Sequence, residues 1–286
     1  MDLIRTAEDV RRLTDAWRSE GDVGLVPTMG SLHPGHTSLI GRAQEEARHV
    51  LVTIFVNPAQ FGPDEDLAAY PRNETGDLEI CARLGVDAVW APPIEQVYPD
   101  GVLLPEPDPG PVGDTFEGAA RPGHFRGVLK VVHRLFDVTG PCRAVFGLKD
   151  AQQLFLVRRM VREEGLPVTI VPVATVRESD GLACSSRNAR LSPEEREQAG
   201  CLFLALSEAA GMARAGERET AVLVAAMARE IGATAMARPD YVAVVGDDTF
   251  EAITRVDGPA RGLVAARFPS ARLIDNLLLP APAGVP

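Results

Sequence analysis

The chain has 286 residues, 45% of them hydrophobic and 24% charged, the make-up of an ordinary globular protein with length for one large or two ordinary domains. A formal net charge of −11 argues against affinity gained by neutralising a nucleic-acid backbone or an anionic membrane. No apolar run approaches the roughly 18 residues of a spanning helix, and the acidic start MDLIRTAEDVRRL does not read as a secretory signal, so a cytoplasmic location is expected.

Short apolar runs alternate with amphipathic segments through the first part of the chain, as a parallel α/β sheet requires. The pattern predicts strands over 23–27, 50–56, 88–91, 144–146 and 168–174, with helices over 6–18, 37–48, 75–84, 125–138 and 151–164 between them. In the 125–138 segment Phe125, Val128, Leu129, Val132, Leu135 and Phe136 repeat at helical spacing and mark one buried face. Pro105, Pro107, Pro109 and Pro111 make 99–123 a long loop or flap. After about residue 175 the pattern changes. Ser192-Pro193-Glu194-Glu195 is a capping box with Pro at the first helical position, opening a long Ala/Leu-rich helix. A second helix follows at 217–231, and runs at 241–245, 263–268 and 272–275 suit a small antiparallel sheet. The organisation is a Rossmann-like domain, 1–175, and a smaller α+β lid domain, 176–286, closed by the short PAPAGVP tail.

Four segments carry chemistry. PTMGSLHPGH follows the first predicted strand and enters a helix, so backbone N–H groups and the helix dipole can bind an anion. His33 and His36 can add donors where charge develops on a phosphate, although two histidines beside a turn also serve as caps. Asn57 and Gln60 follow the second strand at the sheet's ligand-binding edge; an Asx turn before Pro58 accounts for Asn57 alone. In GLKDAQQ, Asp150 and Gln153 fit a cap and its partner, while Lys149, one of two lysines among 29 basic residues, can hold a triphosphate as a point charge. The other, Lys130, reads as a solvated or helix-pairing residue. Ser185-Ser186-Arg187 forms a phosphate clamp or, in isolation, a polar linker. Cys81, Cys142, Cys184 and Cys201 show neither a zinc spacing nor a disulfide framework.

PTMGSLHPGH, FVNPAQF, YPR at 70–72, RPGHFRGV, GLKDAQQ and VRESDGLACSSRN, in this order, resemble the pantothenate synthetase (pantoate–β-alanine ligase) family over nearly the whole chain. His-x-Gly-His alone indicates only the wider nucleotidyltransferase-like Rossmann superfamily. The resemblance implies ATP-dependent condensation of pantoate with β-alanine through pantoyl adenylate, releasing AMP and pyrophosphate, by a homodimer using magnesium. It implies His33, His36, Lys149 and Arg187 as catalytic groups. Met29, Gly147, Asp150, Val176, Ser185 and Ser186 would join them in binding ATP. Gln60 and Gln153 would hold pantoate, Asn57 and Tyr70 would border the β-alanine or intermediate region, and Asp77 would be an outer helper to magnesium carried mainly on phosphates. Glu117 and Arg121 match flap residues. Leu148, Ala151, Ala59 and Cys184 depart from the residues common in the family, which bears on pocket shape. Two other readings share parts of these motifs. A nucleotidyltransferase acting on a phosphorylated acceptor has no use for paired glutamines at a carboxylate, and a nucleotide-binding regulator binds ATP without turnover.

Overall fold

In the computed structural model, which describes residues 1–62, 67 and 70–280, alternate residues along the N-terminal strands enter two separate cores. β1 (Asp2–Ile4), β2 (Val23–Thr28), β3 (His49–Ile54), β4 (Ala88–Trp90), β5 (Cys142–Gly147) and β6 (Val168–Val173) form one sheet in the order β1-β4-β3-β2-β5-β6. Every pairing in it is parallel. Leu25, Leu51, Trp90 and Phe146 pack on one face with residues of α1 (Ala7–Arg18), α6 (His124–Thr139) and α7 (Ala151–Glu163). Val26, Val52, Val89 and Val145 pack on the other with residues of α2 (Pro34–Glu46) and α3 (Glu74–Arg83). Covering both faces is what a parallel sheet needs, since neither can be left to water. The chain winds from β2 through β3 to β4 on one side and then crosses to β5 and β6 on the other. The carboxyl ends of β2 and β5 therefore flank a topological switch point, where open α/β sheets bind ligands.

Two compact units result, residues 1–148 with 152–174, and residues 149–151 with 175–286. The second contains α8 (Pro193–Gln198), α9 (Cys201–Arg214), α10 (Thr220–Gly232) and an antiparallel sheet of β7 (Arg238–Gly246), β8 (Ala260–Arg267) and β9 (Arg272–Leu279), with β8 central. Leu202, Leu206, Leu223, Met227, Val264 and Leu279 form its core.

The predicted strands and helices are present with shifted ends, except for the long helix after Ser192. The three-residue β1 is too short to carry a pattern. α2 begins at Pro34 rather than residue 37 because its cap is a histidine, which is not among the usual capping residues. The capping box is formed, Glu195 N–H donating to Ser192 Oγ at 3.2 Å and Ser192 N–H to Glu195 Oε2 at 2.6 Å. The long helix expected to follow it is instead two helices, α8 and α9, parted at Ala199–Gly200. Glycine is a poor helix former, and the Glu195 carboxylate also holds α8 to Ser270 through its N–H and hydroxyl. The 99–123 segment is not wholly irregular, for α4 (Ile94–Val97) leads into it and α5 (Glu117–Ala120) and a 3₁₀ turn, Pro111–Asp114, lie within it. Residues 281–286 of the PAPAGVP tail lie outside the described residues.

Candidate active site

The loop after β2 folds around its own polar groups. Gly30 takes a left-handed φ of 81°, and a Cβ there would stand 2.8 Å from Asp77 Oδ2, so glycine is required. The Asp77 carboxylate, 2% exposed, accepts the N–H groups of Ser31 at 2.8 Å and Leu32 at 2.7 Å, one on each oxygen. His33 caps α2, its Nδ1 accepting from Gly35 N–H at 3.1 Å, and His36 Nδ1 accepts from His33 N–H at 3.3 Å. The two rings thus form a reciprocal capping box, with centroids 4.0 Å apart. An imidazole nitrogen that accepts from an N–H carries no proton, so in each neutral ring the proton sits on Nε2. The three-residue spacing of the histidines is the spacing of a cap and its partner.

This alters the anion site read from the sequence. The N–H of Gly30 donates to Thr28 Oγ1, and those of His36 and Thr37 donate to the His33 carbonyl. With Ser31 and Leu32 donating to Asp77 and His33 and Gly35 to the two imidazoles, the N–H groups of residues 30–37 are already engaged. The anion-binding expectation then rests on the side-chain imidazoles rather than on a cradle of backbone N–H groups.

Beside it, the chain after β3 makes a 3₁₀ turn, Pro58–Gln60, capped by Asn57. Asn57 is 1% exposed. Its Oδ1 accepts from Ala59 N–H and from the Tyr98 hydroxyl at 2.7 Å, and its Nδ2 donates to Gln60 Oε1 at 3.0 Å and to the Gly127 carbonyl at 3.1 Å. A saturated, buried amide positions its neighbours; a direct substrate contact by Asn57 would need one of these bonds to break. Burial pushes the Tyr98 phenol up, keeping it a donor. Gln60 Nε2 lies 3.1 Å from Met29 Sδ, so the ends of β2 and β3 bring Gln60 to the histidine loop. Thioether sulfur is a weak acceptor, and a carboxylate oxygen is a far better partner for that amide. The Gln60 carbonyl accepts from His124 Nδ1 at 2.9 Å, and His124 Nε2 accepts from Arg121 at 3.0 Å. α6 meets this turn at Gly127, where a Cβ would stand 2.0 Å from the Ala59 carbonyl oxygen.

Sequence reasoning selects Gln153 on α7 and passes over its neighbour. Gln152, buried, donates to the carbonyls of Val112 at 2.7 Å and Thr115 at 2.9 Å and accepts from Glu117 N–H at 3.1 Å, so its whole amide fastens the 112–117 segment. The paired glutamines were the available signal. Tyr98 gave none, because its role depends on where α4 lies. Tyr70 packs edge-on against Phe61, centroids 5.8 Å apart, and Gly147 ends β5. Lys130, expected to be solvated or to pair within its helix, pairs instead with Glu106 of the 99–123 segment at 2.5 Å.

Lys149, Asp150, Val176, Ser185, Ser186 and Arg187 belong to the second unit. There Lys149 Nζ stands 3.6 Å from Asp150 Oδ1. Val176 and Cys184 close a hairpin, Cys184 N–H donating to the Val176 carbonyl at 2.9 Å. Its return leg leads to Ser185, which caps a 3₁₀ turn, Ser186–Arg190. Asn188 Nδ2 ties that turn to Glu178 and to the Ala183 carbonyl, each at 3.0 Å. Cys184 is buried and burial pushes its thiol up, the signature of packing rather than reactivity. Among the described residues no group of three or more His, Cys, Asp or Glu side chains could hold a metal ion.

The family model described as pantoate-beta-alanine ligase matches residues 2–278. The chain is 49% identical over 286 residues to a pantothenate synthetase of Rubrobacter xylanophilus, covering 97% of this chain and 98% of that one. It is 51% identical over 261 residues to that of Roseiflexus castenholzii, covering 91% and 94%. The crystal structure of pantothenate synthetase from Thermus thermophilus superposes with a TM-score of 0.91 at 46% identity, covering 97% of this chain and 99% of that one. A pantoate-beta-alanine ligase from Francisella tularensis, complexed with beta-gamma ATP and beta-alanine, superposes with a TM-score of 0.77 at 30% identity over 97% of each chain. Matched from end to end in sequence and in fold, the chain belongs to the pantoate–β-alanine ligase (pantothenate synthetase) family of enzymes.

Proposed function

We propose that this chain makes pantothenate from pantoate, β-alanine and ATP in two half-reactions, with the residues named above in defined roles. The observation that carries the reading is the meeting of Gln60 with the histidine loop, Nε2 at 3.1 Å from Met29 Sδ. It brings an amide suited to a carboxylate to the loop that carries the two imidazoles. In the first half-reaction a pantoate carboxylate oxygen, held by Gln60 and Gln153, attacks the α-phosphorus. The bond to the β-phosphate breaks and pyrophosphate leaves, its charge met by the Nε2–H groups of His33 and His36. Lys149, Ser185, Ser186 and Arg187 are assigned to the ATP phosphates on their motif match, with Met29, Gly147, Asp150 and Val176 at the nucleotide. In the second half-reaction the β-alanine amine attacks the acyl carbonyl, the bond to AMP breaks, and the amine proton passes to solvent.

Asn57 acts by positioning Gln60, and Tyr70 borders the intermediate. Magnesium accompanies the triphosphate and neutralises its charge. Both Asp77 oxygens hold the histidine loop, so a metal carried on phosphates and water fits these residues better than a protein cage. A homodimer in the cytoplasm completes the proposal. The deciding experiment is exchange of labelled pyrophosphate into ATP with magnesium and pantoate present and β-alanine omitted. Exchange that requires pantoate is the expected result. Normal ATP binding with no exchange, and no AMP release on adding β-alanine, would overturn the reading.

A further inference from the structure

The phosphate-binding residues assigned to the second unit sit on two segments distant in sequence, Lys149 and the hairpin leading to Ser185-Ser186-Arg187, and both are fastened to one dipeptide of β9. Asn276 Nδ2 donates to the Lys149 carbonyl at 2.8 Å, and its Oδ1 accepts from Arg261 at 2.7 Å. Arg261 is held in turn by Asp247 at 2.7 Å. One residue earlier, Asp275 takes the Arg177 guanidinium with two bonds, 2.5 and 3.0 Å. Arg177 opens the hairpin, also donating to the Gly181 carbonyl at 2.9 Å and to the Asn276 carbonyl at 3.3 Å, and it lies over the Phe203 ring. Asn276 N–H donates to Asp275 Oδ1 at 2.8 Å, so the two arms share a junction.

Asp275 and Asn276 are each 4% exposed, in a strand that after Arg272 otherwise reads Leu273, Ile274, Leu277, Leu278 and Leu279. A buried carboxylate and amide are poor choices for stability alone, where apolar residues of like volume do as well. What they supply here is two directed attachments, one to the backbone of Lys149 and one to the root of the hairpin.

We propose that Asp275 and Asn276 are positioning residues for ATP, Asn276 fixing the Lys149 backbone and Asp275 fixing, through Arg177, the segment that carries Ser185, Ser186 and Arg187. This rests on the assignment of those residues to the triphosphate. The test is pantoate-dependent pyrophosphate exchange, with calorimetric ATP binding alongside, for Asn276→Ala, Lys149→Ala and the double variant. Asn276→Ala is expected to raise the KM and Kd for ATP about tenfold, the scale of one buried hydrogen bond. It should leave the KM for pantoate within about twofold, and add nothing in the Lys149→Ala background, as coupled residues do. Should Asn276→Ala melt early, Asp275→Asn, which keeps shape and one acceptor, serves in its place, adding to Lys149→Ala but not to Arg187→Ala. An equal rise in both KM values, or full additivity of Asn276→Ala with Lys149→Ala, overturns the proposal. Absence of exchange in the wild type, with no AMP release on adding β-alanine, would instead overturn the assigned reaction, and the ATP affinities would then decide this inference by the same comparison.

Discussion

The histidine capping box separates two jobs that one substitution to alanine would confuse. Asn at position 33 restores the cap, because its Oδ1 lies where an Nδ1 acceptor is needed and asparagine is among the best capping residues. It cannot restore the Nε2–H. His33→Asn should therefore leave stability within about 0.5 kcal/mol and lower the adenylation rate about 10²–10³-fold, the effect of losing one preorganised donor at developing charge. His33→Ala should lose the same rate and in addition about 1 kcal/mol of stability with the cap, read as a fall in Tm of roughly 2–4 °C. Initial rates of pantoate-dependent pyrophosphate exchange give the first quantity and thermal denaturation at the same pH gives the second. An asparagine variant within threefold of the wild-type rate would refute the donor role. A Tm that falls equally in both variants would refute the capping role drawn from the 3.1 Å contact to Gly35.

Lys149→Ala and His36→Ala are expected to lower adenylation by about 10²–10³-fold with the fold retained, and a loss below threefold in both, by the same exchange assay, removes them from the mechanism. Gly127→Ala drives a methyl into the Ala59 carbonyl, 2.0 Å from its Cβ, so it should raise the pantoate KM through displacement of Gln60 and cost about 1–3 kcal/mol, read by kinetics and urea denaturation. Burial raises all four thiols, Cys81 to about 11 and Cys142 to about 12, so an Ellman titration at neutral pH should find them unreactive in the folded enzyme and all reactive in denaturant. The Ser270 hydroxyl first, then Ser192 N–H, hold the Glu195 carboxylate below its usual range. A lowered folded pKa gives stability that is present above the unfolded value and lost as pH falls through the folded one. Glu195→Gln should thus flatten the acid limb of a denaturation-against-pH series, and an unchanged slope would refute the linkage.

What the sequence determined by itself is the work of local rules. Short apolar runs separated by 3.6-period segments specified a parallel α/β sheet, the Ser192 box began a helix where its chemistry required, and six short motifs named the family. The sequence also nominated His33, His36, Gln60 and Lys149, since each stands at the end of a strand or the start of a helix. Only the tertiary structure could say how those residues are held. The partners are Asp77 for the histidine loop, Tyr98 and Gly127 for Asn57, and Gln152 for the 112–117 segment, each more than 30 residues away in sequence from what it binds. It likewise decided that the N–H groups of residues 30–37 are already engaged, a result set by two imidazole acceptors within the loop and by the buried Asp77 carboxylate of α3. Periodicity and propensity report on neighbours within a turn or two of chain. A hydrogen bond between distant residues forms only after the sheet has brought them within about 3 Å, and no local pattern records that it will.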